Sequence, residues 1–405
     1  MSNFAFGTYR ISDYNPQHIE ALKEAIEAGI TMIDTSSNYM DGGAERAIAL
    51  AFREFDADVR SNVEIVSKFG YIQGANMDRH KDESFEEVVE FSSDCFHSIS
   101  KSFIQDQLTE SLKRLEMQRL DCYLIHNPEY YLLDAINKKV DKDDRLDEMY
   151  RRLYRAFIAL EEEVQNGRIT SYGISSNSFS KDHNADDFLP YEDLITIADR
   201  ASEDVGNDTH SFTTIQLPIN ILEREGLKCA SWAKENGLRV LVNRPLNAEH
   251  ESLMYRLADY DEPREYYHHL NELLEVCDNE MLQPLYNLLE ELDASKHKFG
   301  WIGDYDSFFY AQIIPHMRTS LDVIDDKNKE TMLNFIDLFF IEYRKMVLHE
   351  CSKNTRTALK EFFKECDSTM QECSLRFLMQ RDSIDYVLVG MRKPSYVHEV
   401  LALKD

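Results

Sequence analysis

The sequence predicts an α/β fold: a closed (β/α)8 barrel with an all-helical insertion between its seventh strand and its last helix. Three observations carry this. Short apolar runs ending at Gly7, Asp34, Lys68, His126, Ser175, Leu217 and Asn243 alternate with amphipathic stretches, and an eighth run, Tyr386–Val389, lies near the C-terminus. Alternation of strand and helix implies a parallel sheet, and eight repeats are the count at which such a sheet closes on itself. A doubly wound open sheet would carry a Gly-rich phosphate turn after its first strand, and Phe4-Ala-Phe-Gly-Thr-Tyr-Arg10 is not one.

Each element has a local reason. Asn15 can cap a helix with Pro16 at its first position; Ile19, Leu22 and Ile26 line one face, and Gly29 suits the left-handed residue past the end. Ile104, Leu108, Leu112 and Leu115 repeat at the helical period before strand Asp121–His126, and Gly237 ends the helix that carries Trp232. From Asn247 to about Glu365 the strand rhythm stops. Leu270, Leu273, Leu274 and Cys277 fall at helical spacing, as do Met281, Leu285, Leu288, Leu289 and Leu292, then Leu333, Ile336, Phe340 and Tyr343. Three to five inserted helices are expected, because a structureless loop of that length is improbable inside a compact domain. The expected division is therefore a barrel of residues 1–246 and 366–405 and a helical insertion of 247–365. That insertion is expected either to cap the active site or to serve as an interaction module, including for a homo-oligomer. Trp301, Tyr305, Phe308 and Phe309 would then cover the barrel mouth or fill the insertion's own core. A smaller insertion, Tyr71 to about Ser98, follows strand three, and the acidic run Asp141–Asp144 reads as a solvated loop.

Composition narrows the function. Among 405 residues, 74 acidic against 45 basic side chains give a net charge of −29, which disfavours nucleic acid and anionic membranes as partners. No apolar run approaches the roughly 20 residues of a membrane span. Met1–Arg10 lacks a charged stretch followed by an apolar one, so no secretory leader is expected. The seven Cys form no C-x-x-C pair and read as reduced thiols of a cytoplasmic protein. Cys95 and His97 are two potential ligands without a partner motif, so no metal site is expected.

Chemistry gathers where the strands stop. Asp34, Lys68 and His126 close three consecutive strands, and Tyr39 follows Asp34 in the loop. In a (β/α)8 barrel the C-terminal strand ends build the active site, so these four groups can converge. A free phenol, with a pKa of about 10, is a weak acid at neutral pH. A neighbouring Lys⁺ would lower that value, with Asp34 balancing its charge. His126 could donate an N–H to a polarised carbonyl oxygen. The set describes protonation of a developing alkoxide, with hydride delivered from elsewhere.

These residues lie in a longer series: Gly7-Thr-Tyr-Arg10, Asp34-Thr-Ser-Ser-Asn-Tyr39, Gly42-Gly-Ala-Glu45, Ser67-Lys68, Leu112-Lys-Arg-Leu115, Tyr123-Leu-Ile-His-Asn-Pro-Glu129, Tyr172-Gly-Ile-Ser-Ser-Asn177, Ile215-Gln216, Arg244-Pro-Leu246 and Val387-Leu-Val-Gly-Met391. In this order they resemble the aldo-keto reductases, NAD(P)-dependent carbonyl reductases built on a (β/α)8 barrel. The resemblance implies Tyr39 as general acid, Lys68 and Asp34 as its tuning pair, and His126 as the residue that orients the carbonyl. It implies Ser175, Ser176, Asn177 and Gln216 as contacts of the nicotinamide carboxamide. Gly390, Met391 and Arg392 would hold the adenosine phosphate, with Glu399 near the adenine. Gly7, Thr8 and Arg10 would border the cofactor, as would Asn127, Asn243, Arg244, Pro245 and Leu246. Asn243 stands where many relatives place a ring that stacks on nicotinamide, and Tyr396 and Val400 replace polar residues at the 2′-phosphate end. The implied cofactor is NADPH, with NADH as the alternative, and the implied partner a small carbonyl or alcohol. Glu45 reads as a packing residue. The competing function is a nucleotide-sensing or partner-binding protein on the same fold with little turnover.

Overall fold

The computed structural model describes residues 3–80, 85–321 and 326–404. Eight parallel strands close into one barrel: β1 Asn3–Gly7, β2 Met32–Asp34, β3 Glu64–Phe69, β4 Leu120–His126, β5 Ile169–Ser175, β6 Phe212–Pro218, β7 Arg239–Asn243 and β8 Tyr386–Val389. Each strand pairs with the next in sequence, and β8 closes on β1 with Phe6 opposite Val389. Strands three and six run one residue beyond the expected Lys68 and Leu217. The first helix, Pro16–Glu27, starts as its sequence implies: the Asn15 side chain accepts from Gln17 N, and Gly29 has φ +87°.

Side-chain alternation builds the interior. Ala5, Met32, Val66, Cys122, Leu124, Leu241 and Leu388 form one buried layer inside the barrel. Two residues further along their strands stand Asp34, Lys68 and His126, so period two points these polar groups inward above the apolar layer. Gly173 serves the same closure: a Cβ there would meet Thr214 O of the adjacent strand at 2.0 Å. The run Asp141–Asp144 is not a loop. Asp141 caps the helix Lys142–Gln165 by accepting from Asp143 N, and Asp143 and Asp144 sit in its first turn, where the helix dipole favours acids.

Tertiary contacts divide the chain into a unit of residues 1–245 and 376–405, which holds the barrel, and a unit of 246–375. The second unit is not wholly helical. It begins with an antiparallel hairpin, Asn247–His250 with Leu253–Arg256, whose four-residue strands are too short to stand out in a reading based on apolar runs. Its α-helices are Tyr266–Cys277, Gln283–Ser295, Ile302–Phe308, Ile314–Leu321 and Asp326–Ala358, with a π-helical turn, Phe309–Ile313, joining the third to the fourth. They enclose their own core. Tyr266, Tyr305, Phe339 and Tyr343 lie inside it, and Phe308 and Phe309 pack against it. The buried phenols keep partners: Tyr266 donates to Asp293 at 2.8 Å and Tyr343 to Leu292 O at 2.9 Å.

The cysteine expectation needs correction. Cys366 and Cys373 form a disulfide, while the other five are free and buried. A separation of seven residues, across the turn that leads into helix Met370–Met379, brings the two sulfurs together without any C-x-x-C signature. No described helix is long and apolar enough to cross a membrane.

Candidate active site

Lys68 is fully buried, and its ammonium is saturated. Nζ donates to Asp34 Oδ2 at 2.8 Å, to Thr35 O at 2.7 Å and to Tyr39 Oη at 3.3 Å. The other Asp34 oxygen accepts from Gln216 Nε2 at 2.7 Å, and Gln216 Oε1 accepts from Ser175 Oγ at 2.9 Å. One carboxylate thus joins the phenol–ammonium pair to β5 and β6. Register explains the reach, since His126 pairs with Ser175 and Ser175 with Gln216 at one level of the barrel.

Burial dominates the electrostatics. It pulls Lys68 below the usual lysine value against the attraction of Asp34, and it pushes Asp34 above the usual carboxylate value against Lys68. The expected lowering of the Tyr39 pKa by Lys68 is not found. Burial first, then the charge of Asp34 and the nearby Tyr9, hold the phenol well above its ordinary value. Tyr39 is therefore protonated at neutral pH, the state from which it can act as an acid.

His126 is neutral, because burial, Lys68 and His97 all depress its pKa. Its Nδ1 lies 3.2 Å from Ser36 Oγ, which donates to Asn38 Oδ1 at 2.7 Å. Around it stands the smaller insertion, a three-stranded antiparallel sheet of Tyr71–Ile72, Cys95–His97 and Val89–Ser92 in that spatial order. Tyr71 meets the His126 ring edge-on at 4.9 Å, and its hydroxyl accepts from Asn127 Nδ2 at 2.5 Å. His97, whose pKa burial lowers to about 4, directs Nε2 at His126 O over 2.7 Å. Gly70 permits this approach: a Cβ there would lie 2.5 Å from His97 Nε2 and 2.6 Å from His126 O. His97 is thus a support for His126, and Cys95 hydrogen-bonds the Gln73 side chain.

The other expected residues are placed unevenly. Thr8 Oγ1 donates to Asp34 O at 2.9 Å, and Gly390 adjoins Gly7, whose carbonyl oxygen would lie 3.9 Å from a Cβ on Gly390. Asn127 N donates to Ser175 O at 2.7 Å, and Asn177 Nδ2 reaches Asn127 Oδ1 at 3.4 Å. Asn243 Nδ2 faces Gln216 Oε1 at 3.5 Å, while its Oδ1 is shielded and has no hydrogen-bond partner among the described residues. Arg244 pairs with Glu223 at 2.8 Å, with φ +51° directly after β7, and Pro245 is buried beside it in the chain. Met391 is buried, Arg10 and Arg392 are exposed, and Glu399 is exposed on the helix Pro394–Leu401. Leu246 belongs to the second unit. Glu45 is buried and structural, accepting from Ser67 Oγ and Arg114 Nε, each at 2.6 Å.

The sequence model of the Aldo/keto reductase family matches residues 3–298. The chain belongs to the aldo/keto reductase family. With that membership it is an NAD(P)-dependent oxidoreductase on a (β/α)8 barrel. Solved aldo/keto reductase structures resemble it at low identity. One is the holo form of an aldo-keto reductase from Bacillus halodurans, with 16% identity, 100% of this chain and 86% of that one covered, and a TM-score of 0.48. Another is the glycerol dehydrogenase of Gluconobacter oxydans, with 15% identity, coverage of 99% and 86%, and a TM-score of 0.49. A third is a Klebsiella pneumoniae aldo/keto reductase in complex with NADP and acetate, with 15% identity, coverage of 99% and 85%, and a TM-score of 0.47. No curated protein sequence matches the chain significantly.

Sequence reasoning on this aldo/keto reductase missed the surroundings of His126. Ser36 and Asn38 lie inside a recognised motif yet drew no role. Tyr71, Gln73 and His97 come from an insertion whose sheet pairing, Tyr71 opposite His97, no local pattern reveals. Glu129 was visible only as the end of a motif. It is buried and accepts from Ser176 Oγ at 2.8 Å and Asn177 N at 2.9 Å, so it orders the loop after β5.

Proposed function

We propose that this reductase interconverts an aldehyde or ketone with its alcohol, with Tyr39 as the general acid in reduction and NADPH as the preferred cofactor, NADH being the alternative. The observation that carries the proposal is the buried Lys68 ammonium, bonded to Asp34 and 3.3 Å from the Tyr39 hydroxyl. A bound nicotinamide cofactor supplies the hydride for the carbonyl carbon. The chain supplies the proton: an alkoxide is a stronger base than a phenolate, so the Tyr39 proton moves to the substrate oxygen. The adjacent ammonium then stabilises the phenolate left behind, more effectively in a buried site than in water.

The residues at β5–β7 fit a carboxamide. The Asn243 Oδ1 acceptor without a partner and the Ser175 and Gln216 pair offer it complementary polar groups. Arg392 and Lys393, both exposed after β8, offer positive charge to a 2′-phosphate, which supports NADPH. A Tyr39→Phe variant tests the role of the phenol. Turnover on a carbonyl panel should fall by at least about a hundredfold while cofactor binding, followed by fluorescence, is retained. Undiminished turnover would remove Tyr39 from the role. Tight cofactor binding by the wild type with no turnover on any carbonyl would favour the nucleotide sensor.

A further inference from the structure

The ring of His126 has two nitrogens, and only one carries a proton when the ring is neutral. A residue that must present a defined group to a substrate oxygen therefore needs its other nitrogen committed. Here that commitment runs through a chain of side chains that is buried at Ser36 and half-buried at Asn38 and Gln73. His126 Nδ1 lies 3.2 Å from Ser36 Oγ, Ser36 donates to Asn38 Oδ1 at 2.7 Å, and Asn38 Nδ2 donates to Gln73 Oε1 at 3.2 Å. Gln73 continues to the Cys95 thiol. Ser36 has one proton and is shielded from solvent, so water does not complete its hydrogen bonding. Besides a long contact to Lys68 O at 3.5 Å, its hydroxyl can give that proton over a shorter distance outward to Asn38 or inward to His126, and the far end of the chain decides between these two.

We propose that Ser36, backed by Asn38 and Gln73, is a positioning residue that holds the His126 ring in a single tautomer for the substrate oxygen. With the amides as placed, protons run outward: His126 Nδ1–H donates to Ser36, and Nε2 meets the site as an acceptor, suited to an alcohol hydroxyl. With both amides turned over, protons run inward, Ser36 donates to Nδ1, and Nε2–H meets the site as a donor, suited to a carbonyl. The chain thus couples the amide orientation of a loop residue to the group that the barrel offers its substrate. Two further contacts act on the same ring without touching its proton: the edge-on Tyr71 ring at 4.9 Å and the His97 bond to the His126 backbone. They fix where the ring is. Ser36 fixes what it presents.

This inference rests on the reading of His126 as the residue that faces the reacting oxygen, so its test is spectroscopic before it is kinetic. Long-range proton–nitrogen spectra of the full-length nitrogen-15-labelled protein distinguish a protonated from an unprotonated ring nitrogen, and His126→Asn assigns the signals by difference. The wild type is expected to show one protonated and one unprotonated nitrogen at His126. Ser36→Ala should move both towards a common average, and Ser36→Thr, which retains the hydroxyl, should restore the separation. In turnover, Ser36→Ala should lower kcat by about tenfold with the KM for cofactor unchanged. Ring-nitrogen signals that stay in place in Ser36→Ala would overturn the proposal, as would an averaged ring in the wild type. Failure to find a carbonyl substrate would count against the proposed function and leave the tautomer result readable.

Discussion

Glu129 gives the barrel a built-in dependence on pH. The side chain is only 4% exposed, and it accepts from Ser176 Oγ, Asn177 N and Ser178 N at 2.8, 2.9 and 3.4 Å. These donors favour the carboxylate, but burial outweighs them and pushes the pKa from 4.5 up to about 7. The sign follows from proton counting. Between these values the folded state holds a proton that the unfolded chain has released, so stability from this group is full below about 4.5 and is lost as pH rises to about 7. The shift of about 2.5 pH units, at about 1.4 kcal/mol per unit, amounts to about 3 kcal/mol. Glu129→Gln removes the ionisation and keeps an acceptor oxygen for the loop. Its stability relative to wild type should therefore grow by about 2–3 kcal/mol between about pH 5 and pH 8.5. The chain has 2 Trp, so urea unfolding in a Trp301→Phe background lets Trp232 report the barrel alone. A difference between variant and wild type that stays constant across this range would refute the reasoning.

Lys68→Met should eliminate turnover and leave the Asp34 carboxylate buried without its cation, a loss of about 3–5 kcal/mol in the same Trp232 experiment at neutral pH. The loss should shrink as pH falls and Asp34 takes up a proton; equal destabilisation at every pH would argue against an ionised Asp34. Cys366→Ser opens a short loop in the second unit and should cost about 2 kcal/mol there. Unfolding followed by Trp301 in a Trp232→Phe background should show the change only under non-reducing conditions. Identical curves with and without reductant in the wild type would mean that the pair is not bonded in solution.

What could be read from the sequence was whatever repeats or stands at a strand end. The eight strands alternate with amphipathic helices, and Asp34 and His126 terminate theirs, so position along the chain translates directly into position in the barrel. The hairpin at Asn247–Arg256 was not readable, because its strands have only four residues each, one polar and one a brief Leu-Met-Tyr run, too short for a periodicity. Nor was the role of Asp141, since an acidic residue before more acidic residues looks like a solvated loop until the helix it caps is seen. The Tyr39 pKa failed for a different reason. Charge neighbours can be guessed from a motif, but desolvation depends on everything packed around the group, and here it reverses the expected direction. Tyr71 and His97 needed the pairing of a small sheet that only the folded chain supplies, and Ser36 needed the approach of β4, which brings His126 to it.

The two oxygens of Asp34 join the two sides of the site. Oδ2 holds Lys68, and through it the phenol; Oδ1 holds Gln216, and through it Ser175. A side chain that only balanced the lysine charge would leave its second oxygen buried and unsatisfied, which is expensive at this depth. By using both, the barrel makes the Tyr39 phenol and the Ser175–Gln216 pair parts of one hydrogen-bonded unit across β2, β3, β5 and β6. In the proposed reaction hydride and proton reach neighbouring atoms of one substrate, so their sources have to be held at a constant separation. A shared carboxylate does this with a single residue. Asp34→Asn would retain the volume but remove the charge that faces Lys68, and its effect should therefore extend to both ends of the unit.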